Sequence, residues 1–143
     1  MTELLNMIRS MKKLYDHLCL DVTKKYQISR NELDILLFLH NNPQYDSAKD
    51  IVEKRGLVKS HASMGIEKLI KSHYLESIQN NDDKRKYHLY LLPSSKDIIE
   101  DGLQVQKRFY DILFKDFTIE EKRIYHEMLC LMYKNIREEE GNQ

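Results

Sequence analysis

Three consecutive cationic side chains stand out in the stretch NNDDKRKYHLYLLP, which spans residues 80–93. Lys84, Arg85 and Lys86 directly follow two aspartates and precede an alternation of apolar and polar residues. Guanidinium and ammonium groups bind phosphate oxygens, and Asp83 is close enough in sequence to hold the Arg85 guanidinium in one orientation. The chemistry that this cluster can perform is therefore the ionic recognition of a polyanion.

Positive charge is concentrated in the middle of a chain that is neutral overall. The 143 residues include 23 Lys and Arg and 23 Asp and Glu. Residues 54–88, however, hold eight cationic against four acidic side chains. A local basic patch is the electrostatic footprint of a polyanion-binding protein. Ordinary solvated surface charge is the alternative interpretation.

Residues that could support catalysis or bind a metal are scattered. The sequence has no Gly-rich phosphate loop, no nucleophile next to a base and no catalytic carboxylate pair, so we predict no enzyme activity and no cofactor. The six histidines contain no pair at a spacing of four, and the two cysteines form no CxxC motif, so no metal site is predicted. Cys19 is a candidate redox-sensing thiol, although a buried and inert thiol is the favoured interpretation. Cys130, between two leucines, is interpreted as a packing residue.

The length of the chain predicts one domain over residues 1–143. Its pure apolar runs are far too short to cross a bilayer, and its first residues do not resemble a signal peptide. We therefore expect a soluble, cytoplasmic protein without a membrane partner.

The spacing of apolar residues predicts the helices and strands that must position the basic cluster. Spacings of three and four predict an amphipathic helix over 3–25, and the capping-box pattern at Ser29 starts a second helix that ends at Asn41–Pro43. A short third helix over 47–55 leads through Gly56 to a fourth. The fourth helix is predicted over 59–72, with four inward-facing residues: Ala62, Ile66, Leu69 and Ile70.

The spacing of apolar residues changes from a helical to a strand-like period after the fourth helix. Residues 75–79 and 86–91 read as two short strands joined by the polar loop NNDDKR. Helical periodicity returns after Pro93 and restarts at the capping box of Thr118, and the final EEEGNQ is predicted to be frayed. The predicted fold is mainly α with a small β-hairpin wing: a winged helix-turn-helix lobe over 30–92 with additional terminal helices.

The chain resembles the MarR family of winged-helix regulators. Three stretches carry the resemblance: GLVKSHASMGIEKLIKSHYLE (56–76) for the recognition helix, DKRKYHLYL (83–91) for the Asp-x-Arg wing, and FTIEEKRIY (117–125) for the last helix. The resemblance implies a homodimer whose dimerisation base consists of helices in 1–25 and 94–138. It also implies a pseudo-palindromic operator in double-stranded DNA and, as in many members, repression that a small-molecule effector relieves.

These expectations name specific residues. A hairpin tip can enter a minor groove, and the first turns of the fourth helix can meet phosphates and base edges in the major groove. The predicted DNA-binding residues of the recognition helix are Lys59, Ser60, His61, Ser63 and Met64. Those of the wing are Asp83, Lys84, Arg85 and Lys86. The family habit, together with polar groups that interrupt apolar faces, predicts an effector pocket lined by Tyr15, Leu18, Cys19 and His40.

Two alternatives remain open at this point. Met64 stands where the family often places Arg or another polar residue, and Ser77 stands where it often places Arg. A winged-helix module that binds protein partners instead of DNA is therefore one alternative. A thiol-sensing or metal-sensing regulator is the other.

Overall fold

A computed structural model describes residues 1–142. This part of the chain contains six α-helices and one antiparallel two-stranded sheet. The elements are α1 (Thr2–Tyr26), α2 (Arg30–Asn41), α3 (Ala48–Asp50), α4 (Lys59–Lys71), β1 (Leu75–Gln79), β2 (Tyr87–Leu91), α5 (Lys96–Leu113) and α6 (Ile119–Gly141). The chain divides into two compact units, Met1–Phe109 and the residues from Tyr110 onward, which we describe separately. The single domain over 1–143 stays a prediction.

The mainly α fold with a β-hairpin wing is confirmed, and local capping explains where three of its helices, α2, α3 and α6, begin. The Ser29 hydroxyl accepts a hydrogen bond of 3.1 Å from the Glu32 backbone N–H at the start of α2. Ser47 and Thr118 each form a complete capping box with the acidic residue three positions later, as their spacing predicts. These hydrogen bonds satisfy backbone N–H groups that have no partner within the helix.

The predicted third helix is one α-helical turn that continues as a π-helical turn. Ala48–Asp50 is α-helical, and Ile51–Arg55 follows with the wider hydrogen-bonding pattern. Gly56 then takes a left-handed conformation with φ of 78°, which a residue without a Cβ adopts at low cost. The chain thereby changes direction and enters α4 at Lys59.

The core of the first unit surrounds α2. Residues 32–39 are all buried, and α2 packs against α1, α4 and β2. A helix that is buried on every side needs neighbours all around it, which explains its nearly continuous apolar run.

The inward face of α4 differs from the prediction at one position. Ala62 and Leu69 are buried and Ile66 is partly buried, but Ile70 is exposed. Gly65, rather than Ile70, lies at the contact between α4 and α2: a Cβ at this residue would lie 2.6 Å from Ile35 Cδ1. Because successive helix residues are rotated by about 100°, a face centred on Gly65 and Leu69 leaves the next position in solvent.

The wing is a regular antiparallel hairpin. Leu75 pairs with Leu91 and Gln79 pairs with Tyr87, so the second strand begins one residue later than predicted. Leu89 is buried against the core, whereas the tip between the strands is mostly exposed. The hairpin is thus fixed at its base and projects at its tip.

The second unit consists of the end of α5 and all of α6. Phe114 contacts Tyr110, Phe117 and Tyr125, with ring centroids 4.4–5.3 Å apart. One prediction is wrong in this unit. The tail is not frayed as far as the structure describes it, because α6 continues to Gly141 through glutamates, which favour a helix. Cys130 is exposed in the single chain, where no residue of α6 is buried, so its interpretation as a packing residue stays a prediction.

Candidate nucleic-acid interface

The first turns of α4 present all five predicted recognition residues to solvent. Lys59, Ser60, His61, Ser63 and Met64 are exposed. They lie away from the buried residues Ala62, Gly65 and Leu69, which fix the helix against the core. Val58 provides no side-chain cap at the start of α4. The N-terminal N–H groups and the helix dipole can therefore interact with a phosphate.

The wing tip holds Arg85 in a defined orientation. Asp83 Oδ1 accepts hydrogen bonds from the Arg85 backbone N–H at 3.0 Å and from its Nε at 3.2 Å. These two bonds lower the pKa of Asp83 below its ordinary value. The Arg85 side chain is 92% exposed. Lys84 and Lys86 are also exposed, so the structure brings the four predicted wing residues together as a solvent-facing cationic tip.

Asn80 organises the turn that carries this tip. Its Oδ1 accepts hydrogen bonds from the backbone N–H groups of Asp82 at 2.8 Å and Asp83 at 3.0 Å. Its Nδ2 lies 2.7 Å from Nε2 of His88, whose Nδ1 lies 3.0 Å from both carboxylate oxygens of Asp46. Sequence reasoning missed these contacts. An Asn two residues before an Asp is a local turn signal for the first, but the contact with Asp46 spans 42 residues.

An ion network lies behind the recognition helix. Asp34 is buried; it accepts a hydrogen bond of 3.0 Å from Arg30 Nε and forms an ion pair with Arg55, whose Nη2 lies 3.0 Å from Oδ2. Arg30 also pairs with Asp16 of α1. Arg55 is the last residue before Gly56, so the network joins α1 and α2 to the segment that leads into α4. The i, i+4 spacing of Arg30 and Asp34 is the only part of it that the sequence signals.

The four residues of the predicted effector pocket differ in how accessible they are. Tyr15 is half-buried beneath the Arg30 guanidinium, whose central carbon lies 4.5 Å from the ring centroid, and Leu18 is half-buried. Cys19 is only 1% exposed. His40, by contrast, is exposed on the wall of a cavity.

That cavity has a volume of about 410 Å³ and lies where α2, β2 and α5 meet. Apolar residues make up most of its wall, and His40, Lys96 and Glu100 supply polar groups. A pocket with this composition suits an amphipathic small molecule. Sequence reasoning missed its other lining residues, which are Leu91, Leu92, Pro93, Ser95, Ile99 and Leu103.

Comparison with known proteins agrees with this architecture. The family model for the MarR family matches residues 26–86, which include α2, α4 and the wing tip. Over these residues the chain is similar to the MarR family. Among curated relatives, the HTH-type transcriptional regulator BilQ from Clostridioides difficile strain CD3 is 25% identical to this chain over 106 residues. That alignment covers 74% of this chain and 69% of BilQ.

Solved structures show the same fold. A MarR protein from Peptoclostridium difficile DA00132 is 24% identical with a TM-score of 0.80, and the match covers 95% of this chain and 88% of that one. A putative MarR family transcriptional regulator from Listeria monocytogenes, solved in complex with 26mer DNA, has a TM-score of 0.81 and 16% identity. That match covers 97% of this chain and 90% of the Listeria chain.

The two thiols of this chain differ in their surroundings. Burial raises the pKa of the Cys19 thiol and so disfavours the reactive thiolate. Cys130 is exposed, with its Sγ 3.7 Å from Nε2 of His126. Within residues 1–142, no three His, Cys, Asp or Glu side chains are grouped so that they could hold a metal ion. None of the described helices is both long and apolar enough to span a membrane.

Proposed function

We propose that this protein is a homodimeric, sequence-specific DNA-binding regulator of the MarR family that acts in the cytoplasm as a repressor. The observation that carries the proposal is the Arg85 side chain, which is almost fully exposed and yet held by Asp83. A surface arginine that needed only solvation would gain nothing from such an orientation. An arginine that enters a minor groove gains from it, because less side-chain freedom is lost on binding.

The two parts of the interface have separate tasks. The exposed face of α4 enters the major groove, where its side chains and N-terminal N–H groups contact base edges and phosphates. The wing tip reaches the adjacent minor groove with Arg85, and Lys84 and Lys86 contact phosphates. The Listeria neighbour solved with DNA has the same fold, which supports this mode of binding.

Exposed apolar surface supports a homodimer. In the first unit, the start of α1 exposes Leu4, Leu5, Met7 and Ile8. In the second unit, α6 exposes Met128, Leu129, Leu131, Met132 and Ile136. Monomeric soluble proteins rarely expose contiguous apolar surface on this scale, so we assign both helices to a dimer interface. A two-fold symmetric dimer requires a pseudo-palindromic operator.

Release by a small-molecule effector is the regulatory part of the proposal. The cavity beside His40 and the neighbourhood of Tyr15, Leu18 and Cys19 are the two candidate sites. A ligand at either site acts only if it binds the DNA-competent and DNA-incompetent forms with different affinities. Phenolic and aromatic acids are the first compounds to test. Compounds that change neither thermal stability nor DNA affinity are not effectors.

A salt titration of binding to random-sequence duplex DNA tests DNA binding. Each phosphate neutralised by the protein contributes about −0.9 to the slope of log K against log salt concentration. Lys84→Ala and Lys86→Ala should each reduce the steepness of that slope by about one unit. Lys115→Ala, which removes an exposed cation from the segment between α5 and α6, is the matched control and should leave the slope unchanged. The absence of duplex binding would favour the protein-interaction module instead.

A further inference from the structure

The wing contains a chain of hydrogen bonds that runs from the body of the lobe to Arg85. Asp46 precedes α3 and bonds to His88 on β2, and His88 bonds to Asn80 at the start of the wing loop. Asn80 holds the backbone of Asp83, which holds Arg85.

The chemistry of Asn80 selects one tautomer of a neutral His88 ring. Two backbone N–H groups donate to Asn80 Oδ1, so the atom that faces His88 is the amide nitrogen, which can only donate. His88 Nε2 must therefore accept, and the proton of the neutral ring lies on Nδ1. Nδ1–H then donates to Asp46. In this chain of hydrogen bonds, which we call the relay, only one arrangement of the protons on a neutral His88 ring satisfies the contacts with both Asn80 and Asp46.

The relay is anchored in the body of the lobe. The Asp46 backbone carbonyl accepts a hydrogen bond of 2.7 Å from the Leu89 N–H, so this residue holds β2 through its main chain as well as its side chain. Asp46 and His88 are half-buried, whereas Arg85 is almost fully exposed. Solvent therefore competes less for the anchored end than for the tip.

We infer that Asp46, His88 and Asn80 are positioning residues that fix the orientation of the Arg85 guanidinium before DNA arrives. This inference rests on the proposed function of the wing and names residues of the same site that do not touch DNA themselves. Preorganisation raises affinity because the ordering of the side chain has already occurred in the free protein. Loss of the relay should then weaken binding only through Arg85.

The first test measures Arg85 in the free protein by NMR relaxation of its Nε–H and by hydrogen exchange of its backbone amide. His88→Leu removes both ring hydrogen bonds and should increase the motion of Nε–H and the exchange rate of the amide. His88→Gln restores an acceptor where Nε2 stood and should recover most of the parental order. Tyr90→Leu, on the same strand and face, is the matched control and should resemble the parent.

The second test is a double-mutant cycle on the duplex that the parent protein enriches most strongly from a random library. His88→Leu should weaken binding by about fivefold in the parent and by less than about twofold in the Arg85→Ala background. Equal losses in both backgrounds would show that His88 acts through the fold in general. Such a result overturns the inference.

The two tests separate failure of the inference from failure of the proposed function. If the Arg85 side chain of His88→Leu is as ordered as that of the parent, the relay does not position it, whatever happens on DNA. If the parent and Arg85→Ala bind DNA equally well, the proposed role of the wing is wrong. The relaxation and exchange data still decide whether the relay exists in that case.

Discussion

At the residue scale, removal of the negative charge of Asp83 distinguishes an orienting role for this residue from simple Coulomb attraction between the wing and DNA. Asp83 lies beside three cations at a surface proposed to bind DNA, so Coulomb attraction alone predicts that its removal improves binding. Its two hydrogen bonds to Arg85 predict the opposite. Arg85→Ala should weaken operator binding by about 1–3 kcal/mol and relax the preference for A·T-rich flanks, and Asp83→Ala should reproduce part of this loss. Fluorescence anisotropy titrations measure both, and tighter binding by Asp83→Ala would refute the orienting role.

A second prediction at the residue scale concerns pH. Asp101 accepts hydrogen bonds from Lys25 Nζ at 2.6 Å and from the Tyr26 hydroxyl at 2.8 Å, which hold its pKa below the ordinary value of 3.8. Because the pKa of Asp101 is lower in the folded protein, the ionised carboxyl stabilises the folded state at pH values above its ordinary pKa. This contribution is lost as the pH falls through the lowered pKa. Because the pair is largely exposed, Asp101→Asn should lower the free energy of unfolding at neutral pH by less than about 1 kcal/mol.

The difference between parent and Asp101→Asn should shrink below about pH 4, where the parental carboxyl also becomes protonated. Urea unfolding at several pH values measures this convergence. Lys25→Met removes the other partner and should converge with the parent in the same way. A difference that is independent of pH would mean that packing, not charge, explains the effect.

At the scale of elements, the contact between α2 and α4 depends on Gly65. A Cβ there would lie 2.6 Å from Ile35 Cδ1, and Ile35 is completely buried. Gly65→Ala should therefore destabilise the protein by about 1–3 kcal/mol despite the higher helix propensity of Ala. The free energy of unfolding in urea is the measurement. Gly141→Ala, where a Cβ meets nothing within 4 Å, is the control and should be close to neutral.

A compensating substitution at Ile35 tests whether this steric contact explains the effect of Gly65→Ala. Ile35→Val removes the Cδ1 atom that a Cβ at position 65 would meet, at a cost of about 0.5–1.5 kcal/mol when made alone. Combined with Gly65→Ala, it should cost less than the sum of the two separate changes. Additive losses would show that the steric contact is not the reason for the glycine.

At the scale of the whole molecule, α6 is a helix without any buried residue in the described structure, although it carries many large apolar side chains. If a second copy covers them, the mass from light scattering at micromolar concentration should be about twice 17.2 kDa. Leu131→Glu should shift the protein toward the monomer and reduce operator affinity, because one half-site is then bound at a time. Ile70→Glu, an exposed apolar residue of α4, should leave the mass unchanged. A monomeric parent with an intact fold would exclude the dimer.

The sequence by itself determined the elements of this protein. Helix starts at Ser29, Ser47 and Thr118, the turn at Gly56 and the pairing of Asp83 with Arg85 all depend on hydrogen bonds or dihedral angles within a few residues. Such interactions form with the same partners wherever the segment lies. The order of helices and hairpin strands then sufficed for the resemblance to the MarR family.

Only the tertiary structure decided which side chains meet across the fold. Asp46 and His88 are separated by 42 residues, and no spacing rule connects a loop before α3 to the second strand of the wing. The exposure of Ile70 depends on how closely α4 approaches α2, and the burial of Cys19 and the exposure of His40 depend on which elements pack around them. Periodicity specifies a face of a helix, but the packing of neighbouring elements specifies what that face contacts.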